Sequence, residues 1–331
     1  MWRRWLGIKR SGILGMNGRN RHYIGRYNDR TLYPLVDNKL KTKELADSYG
    51  IPTPALLHTV SRQHEVNDWH HHVPAGQGFV IKPVKGSGGK GIVVIDHHDQ
   101  QQFVKTSGTV LSLADLQRHI SNTLSGLHSL GGTPDSAIIE QRVTAAEAVQ
   151  AFAYEGLPDI RVIVCCGFPV MAMTRLPTHE SDGKANLHQG AIGVGLDMAS
   201  GRAISAVQHG ALVDRHPDTA LPLAQLSVPG WSDLLTFAAT CFDMTGLGYL
   251  GVDLVIDEHR GPLLLELNAR PGLAIQVANQ TGLLPRLKAA EQRRREALRW
   301  SPRQRVELAQ QLFAHSNNPS KPDDSSSSSL S

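Results

Sequence analysis

The sequence predicts an α+β chain of two lobes, and three features of its order predict it. Between residues 81 and 95, "IKPVKGSGGKGIVVI" sets four glycines and three lysines between two short apolar runs. From residue 137, "AIIEQRV", "DIRVIVCCG" and "FPVMAMTRL" follow one another as strand patterns. Further on, "GYLGVDLVID" and "GPLLLELNA" make another strand pair around a turn at 258–261. Helical patterns separate these blocks.

In chain order, "DNKLKTKELADSYGIPTP" predicts a helix from near Asp37, with Leu40, Leu45 and Ala46 at helical spacing and Gly50 and Pro52 stopping it. "GFVIKPV" and "GIVVI" then form a hairpin. "LADLQRHISNTLSGLHSL" is an amphipathic helix by Leu113, Leu116, Ile120, Leu124 and Leu127, and "GGTPDS" ends it as a linker. "WSDLLTFAATCFDMTG" is the helix between the two later strand blocks. Residues 283–315 read as one or two charged helices, and "NNPSKPDDSSSSSLS" as a disordered polar tail. The expected divisions are a basic extension (1–36), a first lobe with the glycine loop (37–136), a second lobe with the acidic strand pair (137–282), charged helices (283–315) and the tail (316–331).

At 331 residues, with 40% hydrophobic and 19% charged residues, the composition is that of a soluble globular protein. The apolar stretch in "SGILGMNG" is far too short for a transmembrane helix or secretory core, so the expected location is the cytoplasm. Cys165 and Cys166, neighbours in an apolar run, suit buried thiols in a reducing compartment. The net charge of +4 gathers at the two ends, in "MWRRWLGIKR" with the arginines after it and in "KAAEQRRREALR". Trp2 and Trp5 among those basic residues suit either a helix resting on an anionic membrane surface or, the preferred reading, a solvated segment or partner contact. Nucleic acid is not an expected partner; a homo-oligomer is expected.

Glycines at this density stand where a backbone turns tightly or approaches a guest closely, and phosphate is the commonest such guest. Gly86-x-Gly88-x-x-Gly91 matches the dinucleotide spacing, but that motif runs into a helix, and here Ile92 to Ile95 read as a strand. A Walker A loop fails too, because Ile and Val follow Gly91 in place of Lys and Ser/Thr. The protein-kinase loop fits locally, yet no Val-Ala-Ile-Lys, His-Arg-Asp or Asp-Phe-Gly follows, and Lys82 precedes the glycines. An unliganded flexible hairpin stays open on the loop alone.

In "GVDLVIDEHRGPLLLELNARPG", Asp253, Glu266 and Asn268 are polar positions among leucines and valines. Glu266 and Asn268 are two apart and point to one face of a strand. If the hairpin brings Asp253 beside them, two carboxylates and an amide oxygen converge, a hard-cation set of the kind Mg²⁺ takes with nucleotide phosphates. Edge-strand polar residues facing water are the alternative.

Together the lysine-led glycine hairpin and the Asp…Glu-x-Asn strand pair resemble the ATP-grasp superfamily, and within it the RimK-type α-L-glutamate ligases and the RimK-related, sugar-transfer-associated proteins. The resemblance runs from about Asp37 to Gly282, and "GMNGRNRHYIGRYNDRTLYPLVDNK" extends it toward the latter group. It implies an ATP-grasp fold, two α/β lobes clasping ATP. It implies that Lys39 and Lys82 contact the α- and β-phosphates and that Gly86, Ser87, Gly88 and Gly89 fold over the β/γ end. Glu140, Gln141 and Val143 would be the adenine hinge, largely through backbone atoms, and Glu147 would take the ribose hydroxyls. Read alone, Glu140 is equally a strand-end surface acid and Glu147 a solvated one. Asp253, Glu266 and Asn268 would hold Mg²⁺, with Mn²⁺ as the alternative ion.

Arg161, Arg175, Asn186, His188 and Arg270 match positions facing the reacting carboxylate and acyl phosphate, a task suited to arginine's planar, permanently charged fork. Singly, Arg270 reads as a salt-bridge residue and His188 as a loop histidine. The implied activity is an ATP-dependent carboxylate–amine ligase acting on a peptide or small-molecule carboxylate and an amino-acid amine. An ATP-grasp phosphotransferase and a non-catalytic nucleotide-binding module are the alternatives. The family pattern also includes a whole N-terminal α/β domain, where this sequence shows a short basic segment before Asp37 and lacks the full domain.

Overall fold

The computed structural model describes residues 12–315 apart from Ser87 and Gln100. Trp2, Trp5, the glycine-loop residue Ser87 and the tail 316–331 therefore lie outside the described residues.

The first lobe is a six-stranded antiparallel sheet built from β1 (Leu56–Val60), β2 (Phe79–Pro83), β3 (Val93–His98), β4 (Gln102–Lys105), β5 (Val110–Ser112) and β6 (Ala137–Gln141) in the order β1-β6-β2-β3-β4-β5. The expected hairpin is there, Phe79 facing Ile95 and Ile81 facing Val93. Helix α1 (Lys39–Ser48) starts at Lys39 and not at Asp37, because Asn38 is extended and caps the helix by accepting from the Lys41 amide at 3.1 Å. Helix α2 (Leu113–Leu124) opens on a Ser112/Asp115 capping box and buries Leu116 and Ile120 beside Trp69, Phe79 and Phe103. It stops short of the predicted Leu127. Gly126 turns left-handed at φ 89°, and Leu127 is left exposed.

The second lobe is a seven-stranded antiparallel sheet in the order β11-β10-β9-β8-β7-β12-β13. Its strands are β7 (Asp159–Cys165), β8 (Phe168–Leu176), β9 (Ile192–Leu196), β10 (Ala203–Gln208), β11 (Ala211–Leu212), β12 (Tyr249–Asp257) and β13 (Gly261–Asn268). A two-residue turn joins β7 to β8 with both Cys166 (φ 50°) and Gly167 (φ 86°) left-handed, which matches the twist of the strands. Period-2 alternation sends Val162, Val164, Val252 and Leu254 to the face covered by α3 (Trp231–Thr245), while Arg161 and Asp253 take the opposite face. The charged C-terminal segment becomes α4 (Leu284–Gln292), a further helical turn and α5 (Pro302–Phe313), whose fully buried Arg305 pairs with Asp243 on α3.

The three cysteines are free and buried, as the apolar context of Cys165 and Cys166 suggested. Among the described residues no helix is long and apolar enough to cross a membrane. The described part of the extension is packed against the body: Leu14, Tyr23, Ile24, Tyr33 and Val36 are buried in the second lobe's core. The segment before β1 meets the second lobe where the Leu264 amide donates to Pro52 O at 2.8 Å.

Candidate functional site

Cations gather between the lobes, from α1, whose Ala46 is buried in the second lobe's core, and from β2 of the first lobe. Lys39 and Lys43, four apart on α1, point the same way. Lys82 on β2 lies diagonally from Glu140 on β6, whose ladder partner is Val80. Glu140 is 3% exposed and takes both ammonium groups, Lys82 Nζ at 2.7 Å and Lys43 Nζ at 2.8 Å. Burial alone would raise the Glu140 carboxyl, but Lys82 and then Lys43 outweigh it and hold it below the usual range. Burial likewise depresses Lys43, which also donates to Pro54 O at 2.5 Å. Lys39 reaches across the lobes: its Nζ donates to Gly86 O at 2.7 Å and lies 3.7 Å from Glu266 Oε1.

The second lobe contributes a charged ladder on the face away from the core. Register places Asp159 opposite Arg175, Arg161 opposite Asp253, Asp253 opposite Glu266, and Gly251 opposite Asn268. Arg161 grips Asp253 with two donors, Nε to Oδ1 at 2.7 Å and Nη2 to Oδ2 at 2.5 Å. Arg175 forks onto Asp159 and also donates from Nη2 to Asp253 Oδ2 at 3.0 Å. Asn268 Nδ2 donates to the same Asp253 oxygen at 3.2 Å, which turns its Oδ1 away.

Burial opposes ionisation of both carboxyls, yet Asp253, facing Arg161 and then Arg175, is held below the usual range. Asp159 is pushed above it, by burial first and the Asp253 charge second, against the pull of Arg175. Burial opposes the charge of Arg175 as well, but Asp159 and Asp253 outweigh it and raise its pKa. The side chains of Arg161 and Arg175 are each 14% exposed, and among the described residues Nη1 of each has no hydrogen-bond partner. Two fixed guanidinium groups thus keep free donors on one face.

The other expected residues are placed differently. Gly88 and Gly89, left-handed at φ 65° and 76°, border open space. Gln141 and Arg142 direct their amides to Ala55 O and Gly78 O inside the lobe, and Val143 packs with Val255 and Leu263. Glu140 is thus not a strand-end surface acid. Glu147 is exposed at the start of a single helical turn, Glu147–Gln150, and among the described residues no side-chain contact ties it to the constellation. Asn186 caps the turn Leu187–Gln189 by accepting from the His188 amide at 3.0 Å, and His188 is exposed. That turn lies near the arginines, since Leu187 covers Gly193, the ladder partner of Arg175. Arg270 is exposed and stacks over the Tyr33 ring at 5.0 Å.

Lys43 and Asp159 were not singled out from the sequence. Their signals were there: Lys43 is one helical turn beyond Lys39, and Asp159 is two strand positions before Arg161.

Glu266 and Asn268 offer hard oxygen donors to a cation, and Glu266 is one-third exposed. Asp253 is already held by both arginines, Arg175 at 3.0 Å being the longest of these contacts, and its Oδ1 accepts from Arg161 Nε alone. Among the described residues no group of three His, Cys, Asp or Glu side chains is placed to hold a metal ion.

This arrangement sits in a chain that matches the sugar-transfer associated ATP-grasp family over residues 18–292. The chain belongs to that family. As an ATP-grasp protein it is also similar to the probable alpha-L-glutamate ligases of Legionella pneumophila strains Corby and Paris, at 24% identity over 237 residues, 71% of this chain. It spans 56% of the length of those curated relatives. Similar solved structures include the ATP-grasp ligase PsnB with its minimal precursor (15% identity, TM-score 0.44, 81% of this chain and 63% of that one). Others are D-cycloserine synthetase DcsG (16%, 0.44, 81% and 72%) and the D-alanine–D-alanine ligase of Bacillus anthracis (12%, 0.42, 86% and 72%).

Proposed function

We propose that this ATP-grasp chain is an ATP-dependent carboxylate–amine ligase of the α-L-glutamate ligase kind. ATP phosphorylates a carboxylate to an acyl phosphate, an amine attacks its carbonyl, and an amide forms with release of ADP and phosphate. The observation that carries the reading is the arginine pair: Arg161 and Arg175 are locked by Asp253 and Asp159 and keep Nη1 donors free beside the Glu266/Asn268 oxygen donors. A fixed fork of donors is what a carboxylate and its acyl phosphate need, and it requires no reorganisation as charge develops.

Lys39 and Lys82 hold the nucleotide phosphates in this reading, with the glycine loop over the β/γ end and Gln141 to Val143 beside the adenine. Glu140, itself paired with Lys43, fixes the position of Lys82. Asn186, His188 and Arg270 border the carboxylate. Glu266 and Asn268, joined by Asp253, would hold Mg²⁺, which when bound neutralises phosphate charge. The family match and the names of the Legionella relatives support the reaction class.

Hydroxylamine tests it, because a strong small amine intercepts an acyl phosphate. With ATP, Mg²⁺ and a glutamate-terminated peptide, the protein should form a hydroxamate without any natural amine, and Arg175→Ala should suppress trapping more than it weakens ATP binding. A phosphorylated product that resists hydroxylamine means a phosphotransferase, and no ADP with any carboxylate means a binding module.

A further inference from the structure

Three consecutive residues immediately after Asn268 are each gripped by a different residue of the N-terminal extension. Ala269 O accepts from Asn28 Nδ2 at 2.9 Å. The Arg270 guanidinium lies over the Tyr33 ring at 5.0 Å. Pro271 O accepts from Arg19 Nη1 at 2.8 Å. None of the three grips comes from either lobe.

Each is also fixed from behind. Asn28 is buried, and its amide replaces a missing strand neighbour: Oδ1 accepts from the Tyr249 amide at 2.9 Å while Nδ2 donates to Tyr249 O at 2.8 Å. It thereby ties the start of β12 to the end of β13, across sequence separations of 221 and 241 residues. Tyr33 is 8% exposed and anchored in the core, so its ring is a rigid platform. Arg19 is oriented by two donors to Asn20 Oδ1, at 3.0 and 2.8 Å. The backbone between these points holds still too: Gly248 donates to Tyr27 O at 3.0 Å, and a Cβ at Gly248 would meet Tyr27 at 2.8 Å.

Arg270, by contrast, makes no hydrogen bond and no close ion pair among the described residues, although the half-buried Asp37 carboxyl is near enough to feel its charge. Its stack on Tyr33 is what places it. A guanidinium held by one face and free along its edge is available to an anion, and Asn268 next to it in the chain is a donor of the proposed cation set.

We propose that Asn28, Tyr33 and Arg19 are positioning residues of the ligase reaction, acting through Ala269, Arg270 and Pro271 to fix Asn268 and Arg270. This rests on the proposed function and adds to it that the acceptor-side wall of the site is set by the extension. Misplacing a reacting or charge-stabilising group by about 1 Å costs up to about a hundredfold in rate, so a loosened clamp is read in turnover and not in nucleotide binding.

The test uses the full chain and three variants. Tyr33→Leu removes the platform, Tyr33→Phe keeps the ring, and Arg19→Ala removes the Pro271 contact from a half-buried site outside the core. For each, Mg-ATP affinity is measured by calorimetry and carboxylate-dependent turnover by hydroxamate trapping with the glutamate-terminated peptide.

The expected result is Mg-ATP affinity within about twofold of wild type throughout, and a fall of about tenfold in turnover for Tyr33→Leu with a smaller fall for Arg19→Ala. Tyr33→Phe should restore the rate. If Tyr33→Leu does not fold, Arg19→Ala with Arg19→Lys carries the comparison. Wild-type turnover in Tyr33→Leu, or in Arg19→Ala where Tyr33→Leu does not fold, overturns the extension's role alone. A wild type that neither binds Mg-ATP nor forms hydroxamate overturns the proposed function and the clamp's role with it.

Discussion

Glu140→Gln is the perturbation with the largest expected effect on the first lobe, because it removes one charge from a buried group of three. In the native protein a 3% exposed carboxylate stands between two ammonium groups at 2.7 and 2.8 Å, whose side chains are 15% and 13% exposed. At an effective dielectric of about 20, each contact at that distance is worth about 6 kcal/mol before desolvation. Desolvation offsets most of this, and breaking a buried pair by removing one partner costs about 3–5 kcal/mol in practice. For a chain of this size that is roughly 4–7 °C in melting temperature.

The variant also leaves two buried ammonium groups with no counter-charge, so a polyanion bound beside them should repair part of the loss. In calorimetric or fluorescence melts, Glu140→Gln should therefore unfold about 4–7 °C below wild type without ligand and gain more from Mg-ATP than wild type gains. A loss under about 1 kcal/mol would refute the assignment of Glu140 as the centre of this charge group. An equal gain from Mg-ATP in both proteins would refute the placement of phosphates beside Lys82.

Other outcomes are expected from the same geometry. Glu266→Gln should keep the fold and much of the nucleotide affinity while turnover drops about a hundredfold, the scale of losing several kcal/mol of metal charge stabilisation; full activity in that variant would sink the metal assignment. His216 is 1% exposed, bonds Pro177 O at 3.0 Å through Nε2, and accepts from the Asp218 and Thr219 amides at 3.2 and 3.3 Å through Nδ1. Burial lowers its pKa, so the folded state binds fewer protons than the unfolded one between that value and about 6.5, and stability falls as pH drops through this window. Urea titrations from pH 7.5 to 5.5 should show a slope smaller by up to about 1.4 kcal/mol per pH unit in His216→Gln, and identical slopes would contradict it.

What was legible in the sequence was mostly local. The pair "GFVIKPV" and "GIVVI" reads as a hairpin because both its strands and its glycines sit within one short stretch, and β12 with β13 reads the same way. Strand β9, "IGVGL", was not legible, since glycine weakens a strand pattern. The fold explains those glycines: a Cβ at Gly193 would meet Leu187 at 2.6 Å, and one at Gly195 would meet the Ala278 carbonyl oxygen at 2.4 Å. The short strands β4 and β5 carry too few alternations to be read without their neighbours.

The site divides along the same line. Spacing put Glu266 and Asn268 on one face, and the ladder put Asp253 there with them. Spacing alone could not say that Asp253 is held by two arginines, because that depends on β7 and β8 pairing in one particular register. A one-residue slip between β7 and β12 would turn Arg161 into the core and leave Asp253 buried without a counter-charge, a cost of several kcal/mol. Arg161, which meets substrate in the proposed function, therefore also helps select, with Asp253, the register of the sheet that carries it. Asp159 and Arg175 repeat the device one strand over. Replacing both Asp159 and Arg175 by a neutral pair of similar size should thus loosen the β7–β8 register as well as the carboxylate fork. Hydrogen exchange of the β7 and β8 amides, read beside hydroxamate formation, separates the two effects: faster exchange with lost trapping supports the joint role, and lost trapping with unchanged exchange confines these residues to chemistry.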